Sequence, residues 1–244
     1  MKKLMTVAFI AFAACAAVAE DDRIDRPWGW SPLGVGVAAP IQLPFTDTDI
    51  YGLRFGGVFG RNRNVYGVDA GLVEMGGGDF AGIQASAFGW TARDAYGLQC
   101  AALANVVNGD FHGIQVGSFN FVFAEPACGI QVGGILNFNA SFEGVQLGLL
   151  NWETSAFAGW QVGGLANVVK EDAAGFSVGA LNFMNRFVGF QLGAVNLAEE
   201  CTGLQLGVFN GVNKLSGLQI GVINLVCADP LLSVPVLPVA NASF

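Results

Sequence analysis

Gly203-Leu204-Gln205-Leu206-Gly207-Val208-Phe209-Asn210 is followed, fourteen residues after its start, by Gly217-Leu218-Gln219-Ile220-Gly221-Val222-Ile223-Asn224. The phrase is Gly, apolar, Gln, apolar, Gly, two small or apolar residues, then Asn. It also reads GIQVGSFN from Gly113, GVQLGLLN from Gly144 and GFQLGAVN from Gly189. Opening glycines stand at 52, 67, 82, 97, 113, 129, 144, 159, 175, 189, 203 and 217, in steps of 14 to 16 residues. A fixed short period means one structural unit stacked many times. Within a unit, Leu204, Leu206 and Val208 alternate with Gln205 and Gly207, the period of a strand that is half buried. The segment after each Asn varies in length and holds Asp110, Glu125, Glu153, Lys170-Glu171-Asp172, Glu199-Glu200 and Lys214, so it reads as a solvated turn.

A strand and a turn per unit fit two all-β architectures. In a parallel β-solenoid each unit is one coil, with equal positions stacked about 4.8 Å apart. In an antiparallel up-and-down outer-membrane β-barrel each unit is one tilted strand. Three observations favour the solenoid. Gln recurs at 84, 99, 115, 131, 146, 161, 191, 205 and 219, and Asn at 105, 120, 137, 151, 167, 182, 196, 210 and 224. Only parallel in-register stacking turns such columns into structural ladders of side-chain amides. Arg54 and Asp69 occupy the Gln position in consecutive units, which stacking would bring side by side. Proline replaces glycine at both ends, in Pro40-Ile41-Gln42-Leu43-Pro44 and in Leu237-Pro238-Val239-Ala240-Asn241. Proline lacks an N–H and suits an outermost strand, whereas a closed barrel needs every ladder bond.

The expected chain is therefore a signal peptide over 1–19, a cap segment over 20–39 and one repeat domain over 40–244. That domain comprises a proline-edged first rung, twelve repeats over 52–230 and a proline-edged last rung over 231–244. About 14 short rungs would stack to roughly 65 Å. The apolar neighbours of Gln are expected to point inward, Gln outward, and the second Gly to bend the chain. Trp28 and Trp30 read as packing of the cap on the first rung.

Lys2 and Lys3, the apolar run from Leu4 to Ala14, and Ala17-Val18-Ala19 before Glu20 form an export signal cleaved after Ala19. Phe12-Ala13-Ala14-Cys15 also reads as a lipoprotein site with Cys15 lipidated. Both imply export to the periplasm, outer membrane or cell surface. Of 244 residues 53% are apolar and 12% charged, too apolar for disorder. The net charge is -8 with no basic cluster, so nucleic acid is not an expected partner. Cys100, Cys128, Cys201 and Cys227 fall at different phases of the repeat, which predicts unpaired thiols and no zinc site.

The tandem GLQLGLxN-like units after a signal peptide resemble a family of bacterial surface-repeat proteins best known from spirochaetes. The resemblance covers residues 40 to 244, including the LPVANASF ending. It implies export and a cell-envelope location, and brings no catalytic residue or cofactor with it. Phe59, Glu74 and Gly89 in the Asn column, and Ser86 and Ala101 at the second Gly, depart from the pattern.

Chemistry requires a clustered departure from the repeat. His112 is the one histidine and has no nucleophile or acid motif around it. Gly76-Gly77-Gly78-Asp79 is one isolated fragment of a calcium-binding repeat. Asp69 and Glu74 could form a glycosidase carboxylate pair near the N-terminal units. Phe121, Phe138, Trp152, Trp160 and Phe183 offer an aromatic strip for sugar stacking or a partner protein. No threonine column exists for ice binding. The expectation is an exported, non-enzymatic scaffold without cofactor or metal. Its partners would be envelope components, another protein or carbohydrate, and membrane association stays open. The alternatives are an outer-membrane barrel or a carbohydrate-active solenoid.

Overall fold

The computed structural model describes residues 29–38, 41–125, 127–228 and 236–243. The signal segment, Cys15, Trp28, Pro40 and Pro235 lie outside them. The described chain is almost entirely strand. β1 (Trp30–Ala38) and β2 (Ile41–Leu43) are followed by β3 (Asp49–Asn62), β4 (Val65–Ala70), β5 (Val73–Gly76) and β6 (Phe80–Thr91). Then come β7 (Ala95–Val107), β8 (Phe111–Val122), β9 (Ala127–Asn139) and β10 (Phe142–Glu153). β11 (Phe157–Val226) is one extended run holding the last five repeats, and β12 is Val236–Ser243.

Consecutive units pair in parallel with equal positions opposed: Gly144 with Gly129 and Gly159, Gln146 with Gln131 and Gln161, Asn151 with Asn137 and Asn167. This is a parallel β-solenoid. The up-and-down barrel is overturned, because its neighbouring strands would be antiparallel. A register shift between the second Gly and the Asn recurs in the pairs β6–β7, β7–β8, β8–β9 and β9–β10. It absorbs the one-residue differences in the spacing from opening Gly to Asn, and the remaining length variation falls in the turn after the Asn.

The opening Gly takes a backbone conformation reserved for glycine. A second corner, marked by the register shift and by successive outward residues such as Ala102 and Leu103, lies between the second Gly and the Asn. All twelve opening glycines have φ between +119° and +150°. A Cβ built on Gly144 would stand 2.1 Å from the carbonyl oxygen of Gly129 one coil below. The second Gly is bare for another reason: a Cβ on Gly148 would press on Asn137 Nδ2 and Asn151 Oδ1, each 2.9 Å away.

The ends also differ from expectation. β1 is itself a parallel rung, with Leu33, Gly34 and Val35 opposite Leu53, Arg54 and Phe55. The two proline-edged segments are not rungs of the parallel stack. Ile41–Leu43 runs antiparallel to β1, and Val236–Ser243 antiparallel to the last coil. The stack is thus closed at each end by one antiparallel edge strand, where missing proline donors cost nothing. Gln42 fastens the first closure: its Nε2 donates to Arg61 O (2.5 Å), and Arg61 N donates to its Oε1 (3.1 Å).

The core reverses the expected facing. Ile114 and Val116 flank Gln115 and are 41% and 39% exposed, whereas Gln115 is fully buried. The inward set comprises the residue two before each opening Gly, the Gln, the Asn, and the residue two after the Asn. The first and last of these form one continuous apolar cluster including Phe80, Phe111, Val122, Phe142, Phe157 and Val226. The amides fill the rest. Amides win interior places because parallel stacking gives each a donor or acceptor on the coils above and below, removing the desolvation penalty.

Candidate functional site

Seven residues of the Gln column hydrogen-bond in one direction. Gln99 Nε2 donates to Gln84 Oε1 (3.2 Å), Gln115 to Gln99 (2.9 Å), Gln131 to Gln115 (2.8 Å), Gln146 to Gln131 (3.0 Å) and Gln161 to Gln146 (2.9 Å). After a break, Gln205 donates to Gln191 (2.6 Å) and Gln219 to Gln205 (2.7 Å). All point toward the N-terminal end. The Asn column runs the other way. Asn105 Nδ2 donates to Asn120 Oδ1 (2.9 Å), and the series continues through Asn137, Asn151, Asn167, Asn182, Asn196 and Asn210 to Asn224 at 2.7–2.9 Å. The same Nδ2 groups also donate to a backbone carbonyl of the next coil, such as Val162 O from Asn151 (3.0 Å).

The break lies where Ser177 replaces Gln and is too short to reach its neighbours in the column. Gln161 Oε1 is left without a donor, and Gln191 Nε2 donates instead to Met184 Sδ (3.1 Å). Met184 comes from the apolar column and fills the vacated space.

At its N-terminal end the Gln ladder meets charge. Gln84 Nε2 donates to Asp69 Oδ2 (2.8 Å), and Arg54 grips Asp69 with two parallel bonds of 2.6 Å, Nε to Oδ1 and Nη2 to Oδ2. Arg54 Nη2 also lies 3.0 Å from Glu74 Oε2. Burial raises the Glu74 carboxyl, Arg54 pulls it back, and the neighbouring Asp69 adds to the rise. Asp69 and Glu74 are fully buried, so the expected solvated carboxylate pair is in fact sealed inside the coil and bound to Arg54. No substrate reaches it.

Glu153 also departs from the sequence reading. It is not in the solvated turn but inside the core, in the column held elsewhere by Val107, Val122 and Val169. Its Oε1 accepts from Gln146 Nε2 (2.7 Å) and Asn139 Nδ2 (3.2 Å). Asn139, one coil earlier, exchanges two 2.8 Å bonds with Gln131. Burial pushes the Glu153 carboxyl up to about 8, with the two amide donors opposing. The residue is a neutral acid at neutral pH.

The aromatic residues divide between two faces. Phe121, Phe138 and Trp152 stack in the column just after the Asn, with ring centres of Phe121 and Phe138 6.2 Å apart and Lys170 Nζ 5.5 Å from the Trp152 ring. Phe183 holds the same place in its repeat, exposed just after Asn182. Trp160 is in another column, opposite Val145, and 63% exposed. It sits 5.5 Å from Phe176, which is 5.4 Å from Phe190. The single strip of five expected from sequence is therefore two rows. His112 stacks on Tyr96 at 5.4 Å in the column just before the opening Gly.

Cys100, Cys128, Cys201 and Cys227 are free thiols, and burial pushes Cys201 up to about 12. Among the described residues no cluster of His, Cys, Asp and Glu has the makings of a metal site. A shallow dip of about 320 Å³ lies in the charged edge, lined by Ala156, Ala158, Ala174, Asp172 and Arg186. It forms where alanines stand in for larger side chains. No family model matches the chain, and no curated protein or solved structure is significantly similar to it.

Proposed function

We propose that this protein is an exported, non-enzymatic element of the bacterial cell envelope, a rigid scaffold whose outer faces act as its binding surface. The observation that carries the reading is the inversion of the coil. The acids with raised pKa and the amide columns are consumed inside in structural bonds, while apolar columns cover the outside away from one charged edge. A core cross-linked by amides on every level makes a stiff rod, and its chemistry lies in the surface it presents. The N-terminal leader and the resemblance to surface-repeat proteins support the envelope location. Expression of the full chain in a Gram-negative host, followed by fractionation, tests it. Leader-cleaved or lipidated protein in the envelope fraction is expected; full-length precursor in the cytosol refutes the reading.

A carbohydrate platform is the second reading, favoured by the exposed row Trp160, Phe176 and Phe190. It requires glycan binding that Trp160→Ala abolishes. Turnover of a polysaccharide would replace the scaffold reading with an enzymatic one.

A further inference from the structure

Charge and apolarity are segregated around the coil. From Gly67 to Leu225, all exposed charged side chains fall between the second residue after the Asn position and the residue just before the next opening Gly. That stretch carries Asp79, Arg93, Asp110, Glu143, Asp172, Arg186, Glu200 and Lys214 among others. Much of the charge there is paired between adjacent coils: Arg93 with Asp79 (2.9 Å), Lys214 with Glu200 (2.9 Å), and Arg186 with Asp172. The remaining perimeter over the same span has no exposed charge. The columns on either side of the buried Gln include Ile83, Ile114, Leu147, Val162, Leu192 and Ile220, each 40–50% exposed or within a percentage point of it. Beyond the bend come Leu103 at 60%, Leu165 at 51%, Val208 at 58% and Val222 at 66%.

Amphipathic rings flank the charged edge on both sides. Tyr51, Tyr66, Tyr96 and His112 occupy the column just before the opening Gly, with Tyr51 and Tyr66 stacked at 4.9 Å. Trp152, under the Lys170 ammonium, occupies the column just after the Asn. In chain order a coil therefore reads charge, Tyr or His, aliphatic, aliphatic, Phe or Trp, charge. That is the order in which water, the headgroup level and the acyl region follow one another at a bilayer surface. A single flat apolar face would suit a second copy of the chain. Here two faces and the bend between them are apolar, and one flat dimer contact leaves half of that uncovered.

We infer that the solenoid lies along a lipid bilayer, with its apolar perimeter in the acyl region and its charged edge at the headgroups. The inference rests on the envelope reading above and names the partner of that surface. Hydrocarbon demands that backbone polar groups be satisfied internally. The coils do this along the whole rod, since each strand between the ends pairs on both sides, leaving only the antiparallel end strands as edges. Among the described residues no helix is long and apolar enough to span a bilayer, so the contact is made by strands. The acidic net charge and the self-paired edge make zwitterionic lipid the fitting surface, with no need for anionic headgroups.

Flotation of the purified protein with phosphatidylcholine vesicles, at low and at molar salt, is the first test. The protein rises with the vesicles at both salts. Brominated acyl chains then quench its emission, and Trp160→Phe removes the larger part of that quenching while buried Trp90 contributes little. Leu147→Glu with Val162→Glu, two adjacent exposed positions, abolishes flotation at an unchanged thermal unfolding temperature. A monomer that stays with the aqueous phase overturns the inference. So does a stable dimer that ignores vesicles, which would give the surface to a second copy, or binding that needs anionic lipid and vanishes in salt. Envelope localisation in cells with no vesicle binding sinks this inference and leaves the envelope reading standing.

Discussion

Replacing Glu153 by Gln isolates the energetics of the amide core. The folded coil holds this carboxyl protonated up to about pH 8, against 4.5 for the free side chain, chiefly because it is buried. Between those values the folded protein keeps a proton that the unfolded chain has released, so stability falls as pH rises. Each pH unit in the window withdraws about 1.4 kcal/mol. The loss is about 3 kcal/mol at pH 7 and about 5 kcal/mol above pH 8, and below pH 4.5 there is none. Gln reproduces the neutral acid: its Oε1 still accepts from Gln146 and Asn139, and it does not titrate. Urea unfolding followed by circular dichroism gives the difference between variant and wild type across this pH range. That difference cancels Glu74 and the surface acids, which both proteins share. Glu153→Gln matches the wild type near pH 4.5 and gains on it by about 1.4 kcal/mol per pH unit up to about pH 8. Parallel stability curves would refute the reasoning, because a solvated Glu153 gives a pH-independent difference.

Asn151→Leu removes two donated bonds and one accepted bond inside the core. It should destabilise by about 3 kcal/mol, against less than about 1 kcal/mol for Leu147→Ala on the outer face, and equal melting temperatures would argue against the ladder. Ser177→Gln with Met184→Val rejoins the two halves of the Gln ladder and supplies Gln161 Oε1 with a donor. The pair should stabilise by about 1–3 kcal/mol in urea titrations, whereas Ser177→Gln alone overpacks against Met184 and destabilises. Arg54→Met strands Asp69 and Glu74 without their cation. It should cost about 3–5 kcal/mol at neutral pH and less in acid, where the Glu74 carboxyl, already raised by burial, takes up a proton; a loss that grows in acid would contradict the cluster.

Period, parallel stacking and the meeting of Arg54 with Asp69 were legible because they depend only on which positions repeat. Facing was not. Strict alternation says that Gln115 and its neighbours Ile114 and Val116 lie on opposite sides, and leaves open which side is inner. The expectation that apolar side chains go inward decided it the wrong way. The corrective signal was nevertheless in the sequence: Phe111, Phe142 and Phe157, two residues before the opening Gly, share the parity of Gln. Had those bulky residues been given the core first, the amides would have followed them inside. Glu153 instead follows the parity of Asn151, set by the register shift after Gly148, which places it between Asn139 and Val169 in the column of Val122 and not in the turn. The fate of Asp69 and Glu74 was harder to read, since Gly56, Gly60 and Gly71 make room for the Glu74 carboxyl and only the folded coil brings them together. The two aromatic rows needed the bend at the opening Gly, which separates residues that look adjacent in a list of repeats.

The two amide ladders run in opposite directions, and this bears on how long such a rod can grow. A single column of aligned amides would add its dipoles level by level, as a helix adds its peptide units, and build opposite partial charges at its ends. With Gln donating toward one terminus and Asn toward the other, each added coil contributes two amide dipoles of opposed sense. The field at the tips then does not rise with the number of coils. Duplication or loss of a repeat changes the length of the rod while its end strands meet the same electrostatics, so the number of coils is free to drift.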